Sequence, residues 1–284
     1  MNSKGTTVQA WLEHAITQLK TAGLDTARLD ALVLLADATG RDKGFLLAHP
    51  ELELPTGLVN KTQKLLNKRC LHMPLAYLRG HAEFYGREFI VNSEVLVPRP
   101  ETETMIDCLK ELLTKSNGAE ITPPNGTVWR IADVGAGSGA IGITVAIELS
   151  NTKITLLEIS ETAIETAKAN VVNYDLPIDV LKSDLLQSNH AVQDILLCNL
   201  PYVPDEYQIN RAASHEPSIA LFAGTDGLDL YRRLFAQIQF MDSKPLYILT
   251  EALPESHGAL SAIAAGNGYS QLKLADFIQV FELI

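Results

Sequence analysis

The sequence predicts an α/β fold: a seven-stranded, mostly parallel sheet, preceded by a small helical domain and a linker carrying a β-hairpin. Three observations predict it. From Trp129 onward, short apolar runs of strand length alternate with stretches of helical spacing, the pattern of a parallel sheet covered on both faces. Between the first of these strands and the first helix lie three glycines at alternate positions, Gly135, Gly137 and Gly139. Ahead of this region, residues 1–74 show helical periodicity and no strand-like run.

The bulk numbers agree with an ordinary folded chain. It has 284 residues, enough for one large domain or two ordinary ones, and is 46% hydrophobic and 20% charged. No apolar run is long enough to span a membrane, and the first twenty residues lack the apolar centre of a signal peptide. Cys70, Cys108 and Cys198 show no metal-ligand spacing, so reduced thiols and a cytoplasmic location are expected. The net charge of −11 is uneven: residues 1–74 carry nine Lys and Arg against seven Asp and Glu, the remainder fourteen against twenty-seven. A strongly acidic second half disfavours direct grip on a phosphate backbone.

In chain order, Val8, Trp11, Leu12, Ala15, Ile16 and Leu19 form one face of a first helix, with Gly23 as its stop. Asp25 or Thr26 can cap a second, ended by Gly40, and a short third covers Lys43 to Ala48. A fourth spans Pro55 to Leu71, with Leu58, Leu65 and Leu66 inward and Lys61, Lys64, Lys68 and Arg69 outward. In residues 75–100, Phe89–Val91 and Val95–Val97 alternate as a hairpin should, and Pro98-Arg99-Pro100 is stiff and extended. Glu101, Thr102 and Glu103 open a helix to about Leu113, followed by a polar loop over 116–126. The seven strands are then expected at Val128–Val134, Ile154–Leu157, Ile178–Leu181, Asp194–Cys198, Leu246–Leu249, Tyr269–Leu274 and Phe277–Leu283. The last two, with no helix between them, read as an antiparallel pair at one edge.

The glycine turn points to a ligand. Glycine admits positive φ and lets a bound group approach the backbone, and the helix that follows offers free N–H groups. Gly135-x-Gly137-x-x-Ala140 fits a dinucleotide fingerprint, whereas Gly-x-Gly-x-Gly after a strand ending in Asp is the common pattern of S-adenosylmethionine methyltransferases. Glu158, at the end of the second strand, stands where a carboxylate accepts ribose hydroxyls. Ligands of open parallel sheets bind at the carboxyl ends of strands near the switch in strand order. The fourth strand ends there in Asn199-Leu200-Pro201-Tyr202, which resembles the Asn-Pro-Pro-Tyr motif of methyltransferases acting on planar nitrogens. An amide nitrogen is a poor nucleophile because its lone pair is delocalised. The Asn199 side-chain oxygen and the Leu200 carbonyl can hold both N–H groups and stabilise positive charge growing on nitrogen, and Tyr202 can pack on the flat substrate. No metal is required.

Over nearly its full length the chain resembles the release-factor glutamine N5-methyltransferase family, of the PrmC/HemK type. The resemblance rests on PLAYLRGHAEFYG (74–86), VLVPRPETE (95–103), DVGAGSGAIG (133–142), EIS (158–160), the Asn199 motif and EPSIALFAGTDGLDLYRRL (216–234). It implies S-adenosylmethionine as donor, leaving S-adenosylhomocysteine, and as acceptor the glutamine of a Gly-Gly-Gln motif in peptide-chain release factors. Carried over, Gly135, Ala136, Gly137, Ser138 and Gly139 line the methionine part, Glu158 holds the ribose, and Asp184 and Leu185 lie by the adenine. Asn199 borders the cofactor, and Asn199, Leu200, Pro201 and Tyr202 grip the glutamine amide. Residues 1–74 become a substrate-recognition domain, 75–100 the linker and 101–284 the catalytic domain; a monomer with neither nucleic-acid nor membrane partner is expected. Two positions depart from the family: Leu200 replaces its first proline, and Leu185 a frequently aromatic residue. Two other readings share these residues: an adenine-N6 nucleic-acid methyltransferase, and a cofactor-binding protein without turnover.

Overall fold

A computed structural model describes residues 5–114, 121–189 and 191–284. The chain divides into two compact units, one of residues 1–80 with 210–215, the other of 81–209 with 216–284. Of the polar loop expected at 116–126, residues 116–120 lie outside the described residues.

The first unit is helical. A two-residue strand β1 (Thr6–Thr7) leads into α1 (Val8–Thr21), whose first turn is capped by the Thr7 hydroxyl accepting from the Ala10 N–H. Next come α2 (Ala27–Thr39), α3 (Lys43–Ala48), a second short strand β2 (Glu53–Leu54) antiparallel to β1, α4 (Thr56–Cys70) and α5 (Leu75–Arg79). Trp11, Leu19, Leu34, Leu46 and Leu66 close its core. Arg69, expected on the outer face of α4, is buried and donates to Asp30 at 2.7 Å. It follows Thr62 and Leu66 at helical spacing on the inward face, and a desolvated guanidinium needs a carboxylate.

The second unit opens with a hairpin, β3 (His81–Phe84) and β4 (Arg87–Ile90). Its second strand overlaps the one expected at 89–91, but the partner is 81–84 upstream and not 95–97 downstream. Tyr85 and Gly86 both have positive φ, the conformation a tight two-residue hairpin turn demands, and they set the register. Phe84 and Phe89 are thereby buried, while Val95–Val97 forms no strand. A turn of 3₁₀ helix (Pro100–Thr102) then feeds α6 (Glu103–Leu112).

Thereafter the alternation is regular: β5 (Trp129–Val134), α7 (Ala140–Glu148), β6 (Thr152–Glu158), α8 (Glu161–Asn173), β7 (Asp179–Lys182) and β8 (Ile195–Cys198). These are followed by α9 (Asp229–Gln239), β9 (Tyr247–Glu251), α10 (His257–Ala265), β10 (Tyr269–Ala275) and β11 (Ile278–Leu283). The seven strands lie in the order β10-β11-β9-β8-β5-β6-β7. Those from β9 to β7 run parallel, and β11 is antiparallel to both of its neighbours, as the edge pair predicts. One core lies against the face covered by α6, α7 and α8, the other against the face covered by α9 and α10. The strand order switches between β5 and β8. Val134 is in register with Cys198, so the glycine turn and the Asn199 loop leave the sheet side by side.

Candidate active site

Asp133 and the glycines shape the floor. Gly135, Gly137 and Gly139 all have positive φ, which favours glycine at each, and a β-carbon at Gly135 would stand a tight 3.0 Å from Leu200 Cδ2, so the two loops lie in contact. The Asp133 carboxylate is fully buried and accepts the Gly142 N–H at 2.8 Å through Oδ2, pinning α7 to β5; Oδ1 has no partner. Burial pushes this carboxyl up to about 7. Asn170 of α8 secures the turn from behind, donating to the Ser138 carbonyl at 2.8 Å and exchanging hydrogen bonds with both backbone groups of Ile90. Nothing in its local sequence distinguishes Asn170 from a surface asparagine.

At the end of β6, Glu158 accepts the Gly137 N–H through Oε2 at 2.9 Å, and those of Ile159 and Ser160 through Oε1 at 2.8 and 2.9 Å. It therefore braces the glycine turn, and Oε2, with one donor against the two on Oε1, keeps lone-pair capacity for a hydroxyl. Asp184 is paired with Arg233 of α9 at 2.5 Å, and Gln237 bonds both the Asp184 carbonyl and the Leu186 N–H. Between them Leu185 adopts φ +56°, an uncommon conformation for a branched residue, held by contacts on both sides.

One cavity joins these groups. Its walls include Gly135, Ala136, Gly137, Ser138, Glu158, Asp184, Leu185, Asn199, Leu200 and Pro201. Two expected residues stand apart from it. Gly139 starts α7 and faces Leu156 and Ile143, so it serves helix–sheet packing. Tyr202 does not form a wall: its phenol donates to Glu251 Oε1 at 3.0 Å, and burial pushes its ionisation far up. Asn199 Nδ2 donates to Thr102 Oγ1 at 3.1 Å, which leaves Oδ1 as the free acceptor.

The sequence reading missed the roof. Glu94, Val95, Leu96, Pro98 and Thr102 line the cavity, as do Ile219 and Ala220. The Pro-Arg-Pro stretch signals a rigid strap, and Arg99 ties it down: its Nη2 meets both oxygens of buried Glu216 at 2.6 and 2.7 Å. Among the described residues no group of three or more His, Cys, Asp or Glu is gathered as metal ligands would be, and no helix is long and apolar enough to cross a membrane.

Comparison with known proteins decides the family. The PrmC N-terminal domain matches residues 10–80, and the methyltransferase small domain residues 119–216. A release factor glutamine methyltransferase of Koribacter versatilis is 34% identical over 82% of this chain and 81% of that one. One of Bacillus anthracis is 34% identical over 72% of each. The chain belongs to the release factor glutamine methyltransferase family. A bifunctional methyltransferase of Rickettsia bellii is also 34% identical, but this family member spans only 44% of it. Among solved structures, the hMettl16 catalytic domain in complex with MAT2A 3′UTR hairpin 6 shares the fold with a TM-score of 0.53 at 15% identity, over 81% of this chain and 82% of that one. The chain is an S-adenosylmethionine-dependent methyltransferase by family, and its cavity suits that cofactor. The glycine cradle admits a bulky group at the backbone, Glu158 Oε2 retains acceptor capacity for a ribose hydroxyl, and the Asp184–Leu185 corner offers a polar edge beside apolar walls.

Proposed function

We propose that this enzyme methylates the side-chain amide nitrogen (N5) of the glutamine in the Gly-Gly-Gln motif of peptide-chain release factors. The observation that carries the reading is that Asn199 and the glycine turn line one cavity, with the amide of Asn199 held so that its oxygen is free.

S-adenosylmethionine supplies an electrophilic methyl group on a sulfonium. The rest falls to the chain's own residues. Asn199 Oδ1 and the Leu200 carbonyl accept the two N–H groups of the glutamine carboxamide, orienting its plane and stabilising positive charge on nitrogen as the bond forms. Transfer to nitrogen would break the sulfur–methyl bond and leave S-adenosylhomocysteine, and the methylated nitrogen would give its surplus proton to solvent. Gly135 to Ser138, Glu158, Asp184 and Leu185 hold the cofactor. Val95, Leu96 and Pro98 screen the reacting groups from water, which strengthens every hydrogen bond beneath them. Because a sulfonium is already activated, the residues need no metal. The helical unit recognises the release factor, and the enzyme acts in the cytoplasm as a monomer.

The test is mass spectrometry of a release factor incubated with enzyme and cofactor. A gain of one methyl on the Gly-Gly-Gln glutamine is expected; methyl found on nucleic acid instead, or on nothing while cofactor binds, overturns the reading. Asn199→Ala should lower the transfer rate by about 100-fold or more with cofactor affinity unchanged; undiminished turnover removes Asn199 from this role.

A further inference from the structure

The Asp184–Leu185 corner of the cavity does not hold its own shape. It follows β7, and Leu185 has φ +56°, a conformation that a leucine seldom adopts unaided. Helix α9 supplies the restraint. The Gln237 carboxamide spans Leu185: its Oε1 accepts the Leu186 N–H at 2.8 Å, and its Nε2 donates to the Asp184 carbonyl at 3.3 Å. A carboxamide carries an acceptor and a donor together, so one side chain ties down both flanks of the left-handed position. One turn earlier on the same helix, Arg233 lines the cavity and donates to Asp184 Oδ2 at 2.5 Å. On the sheet side, the Ser183 N–H donates to the Glu158 carbonyl at 2.9 Å, which joins the corner to the residue assigned to the ribose.

What remains open at the corner is chemically specific. Asp184 and Leu185 both line the cavity. Among the described residues no donor meets Asp184 Oδ1 and no acceptor meets the Leu185 N–H. A carboxylate oxygen beside a free N–H is an acceptor next to a donor. The edge of adenine carries the complement, an exocyclic amine next to a ring nitrogen that accepts. A 6-oxo purine would bring a second acceptor against Oδ1, an unpaired contact that a site of this kind rejects. The selection works only while Oδ1 keeps its direction. The Arg233–Asp184 pair is partly exposed, at 48% and 31%, so it adds little stability; its effect is to pin Oδ2 and limit rotation of the carboxylate.

We propose that Gln237 and Arg233 are positioning residues for the cofactor's base. Gln237 fixes the backbone of the corner, Arg233 fixes the Asp184 carboxylate, and together they make the site select a 6-amino purine over a 6-oxo one. The inference rests on the placement of the cofactor at Asp184 and Leu185 given above.

The test is calorimetric titration with S-adenosylhomocysteine and S-inosylhomocysteine, which differ only in a 6-amino against a 6-oxo edge. The parent enzyme should prefer the adenine form by about 100-fold or more. Gln237→Met, which keeps length and loses both hydrogen bonds, should cut that preference by about 10-fold or more, with affinity for the 6-oxo form held within about threefold. Arg233→Met, at a partly exposed position, should cut it in the same direction and carries the test if Gln237→Met does not fold. Melting temperatures are measured alongside. A purely structural role would weaken both ligands alike and leave their ratio in place. An unchanged ratio in either folded variant therefore overturns the proposal, while the placement of the base stands on the parent's preference. A parent enzyme that binds both ligands equally removes Asp184 from the base and overturns the proposal with it. The expected loss of preference in an enzyme that methylates no release factor supports the positioning role and removes the substrate assignment instead.

Discussion

Gly227 lies outside the cavity, yet its replacement by alanine should disable the enzyme. Its φ is +75°, and a β-carbon there would sit 2.1 Å from the Tyr202 carbonyl oxygen and 2.8 Å from its carbon. Ordinary contact begins at 3.4 Å, so the two backbones must part by more than 1 Å. The Tyr202 side has little freedom, because Val203 exchanges backbone hydrogen bonds with Leu221 and Ala223 at 2.9 and 3.0 Å, and Asp205 donates to Gly224 at 2.9 Å. The shift must pass into the Asn199–Tyr202 loop. Left-handed strain plus overpacking should cost about 2–4 kcal/mol of stability. Misplacing the amide-binding acceptors by about 1 Å should cost on the order of 100-fold in kcat. Gly268→Ala is the control: φ is +85°, but nothing lies within 4 Å of the added carbon, so it tests strain without collision. The assay is single-turnover methylation of release factor, with melting temperature and cofactor affinity measured in parallel. Full turnover in Gly227→Ala, or the same kcat loss in Gly268→Ala, refutes the reasoning.

Other outcomes follow from the same geometry. Glu158→Gln turns one acceptor atom into a donor facing backbone N–H groups, so S-adenosylhomocysteine should bind about 10- to 100-fold more weakly by calorimetry; unchanged affinity excludes a ribose role. Leu200→Pro retains the backbone carbonyl, so kcat should hold or rise; the lost packing of a side chain 2% exposed should cost about 1–2 kcal/mol in chemical denaturation. A clear fall in kcat would mean the loop is built for a different acceptor. Asp133 gives a pH test. Its folded value, about 7, is raised above the ordinary 3.8, so folding takes up a proton between those limits. The penalty for burying the charge is absent below pH 3.8, grows as pH rises and is complete above about 7, at no more than about 1.4 kcal/mol per pH unit. Asp133→Asn should therefore gain more stability over the parent at pH 8 than at pH 5 in urea titrations, and an equal difference at both pH values contradicts the assignment.

Much of the site is legible in the sequence because its parts are local patterns. A period of two or of 3.6 residues states which face is apolar, and glycines at alternate positions state where the backbone must turn left-handed. Hence the sheet, the cradle at Gly135 to Ser138, Glu158 at a strand end and the Asn199 loop are all readable before folding. So is the meeting of the two loops, because strand order in an open sheet brings the switch-point ends together. What depended on tertiary structure is which residues face each other across long separations in the chain. Arg69 looked like solvated surface until Asp30 stood opposite it. Tyr202 reads as a wall and becomes a support because Glu251, forty-nine positions on, claims its hydroxyl. Thr102 meets Asn199 across ninety-seven positions, and Gly227 is a glycine because the Tyr202 carbonyl occupies the space of its β-carbon. Periodicity encodes a direction along the chain, not the identity of a distant neighbour; packing and hydrogen-bond saturation in the folded interior choose that neighbour.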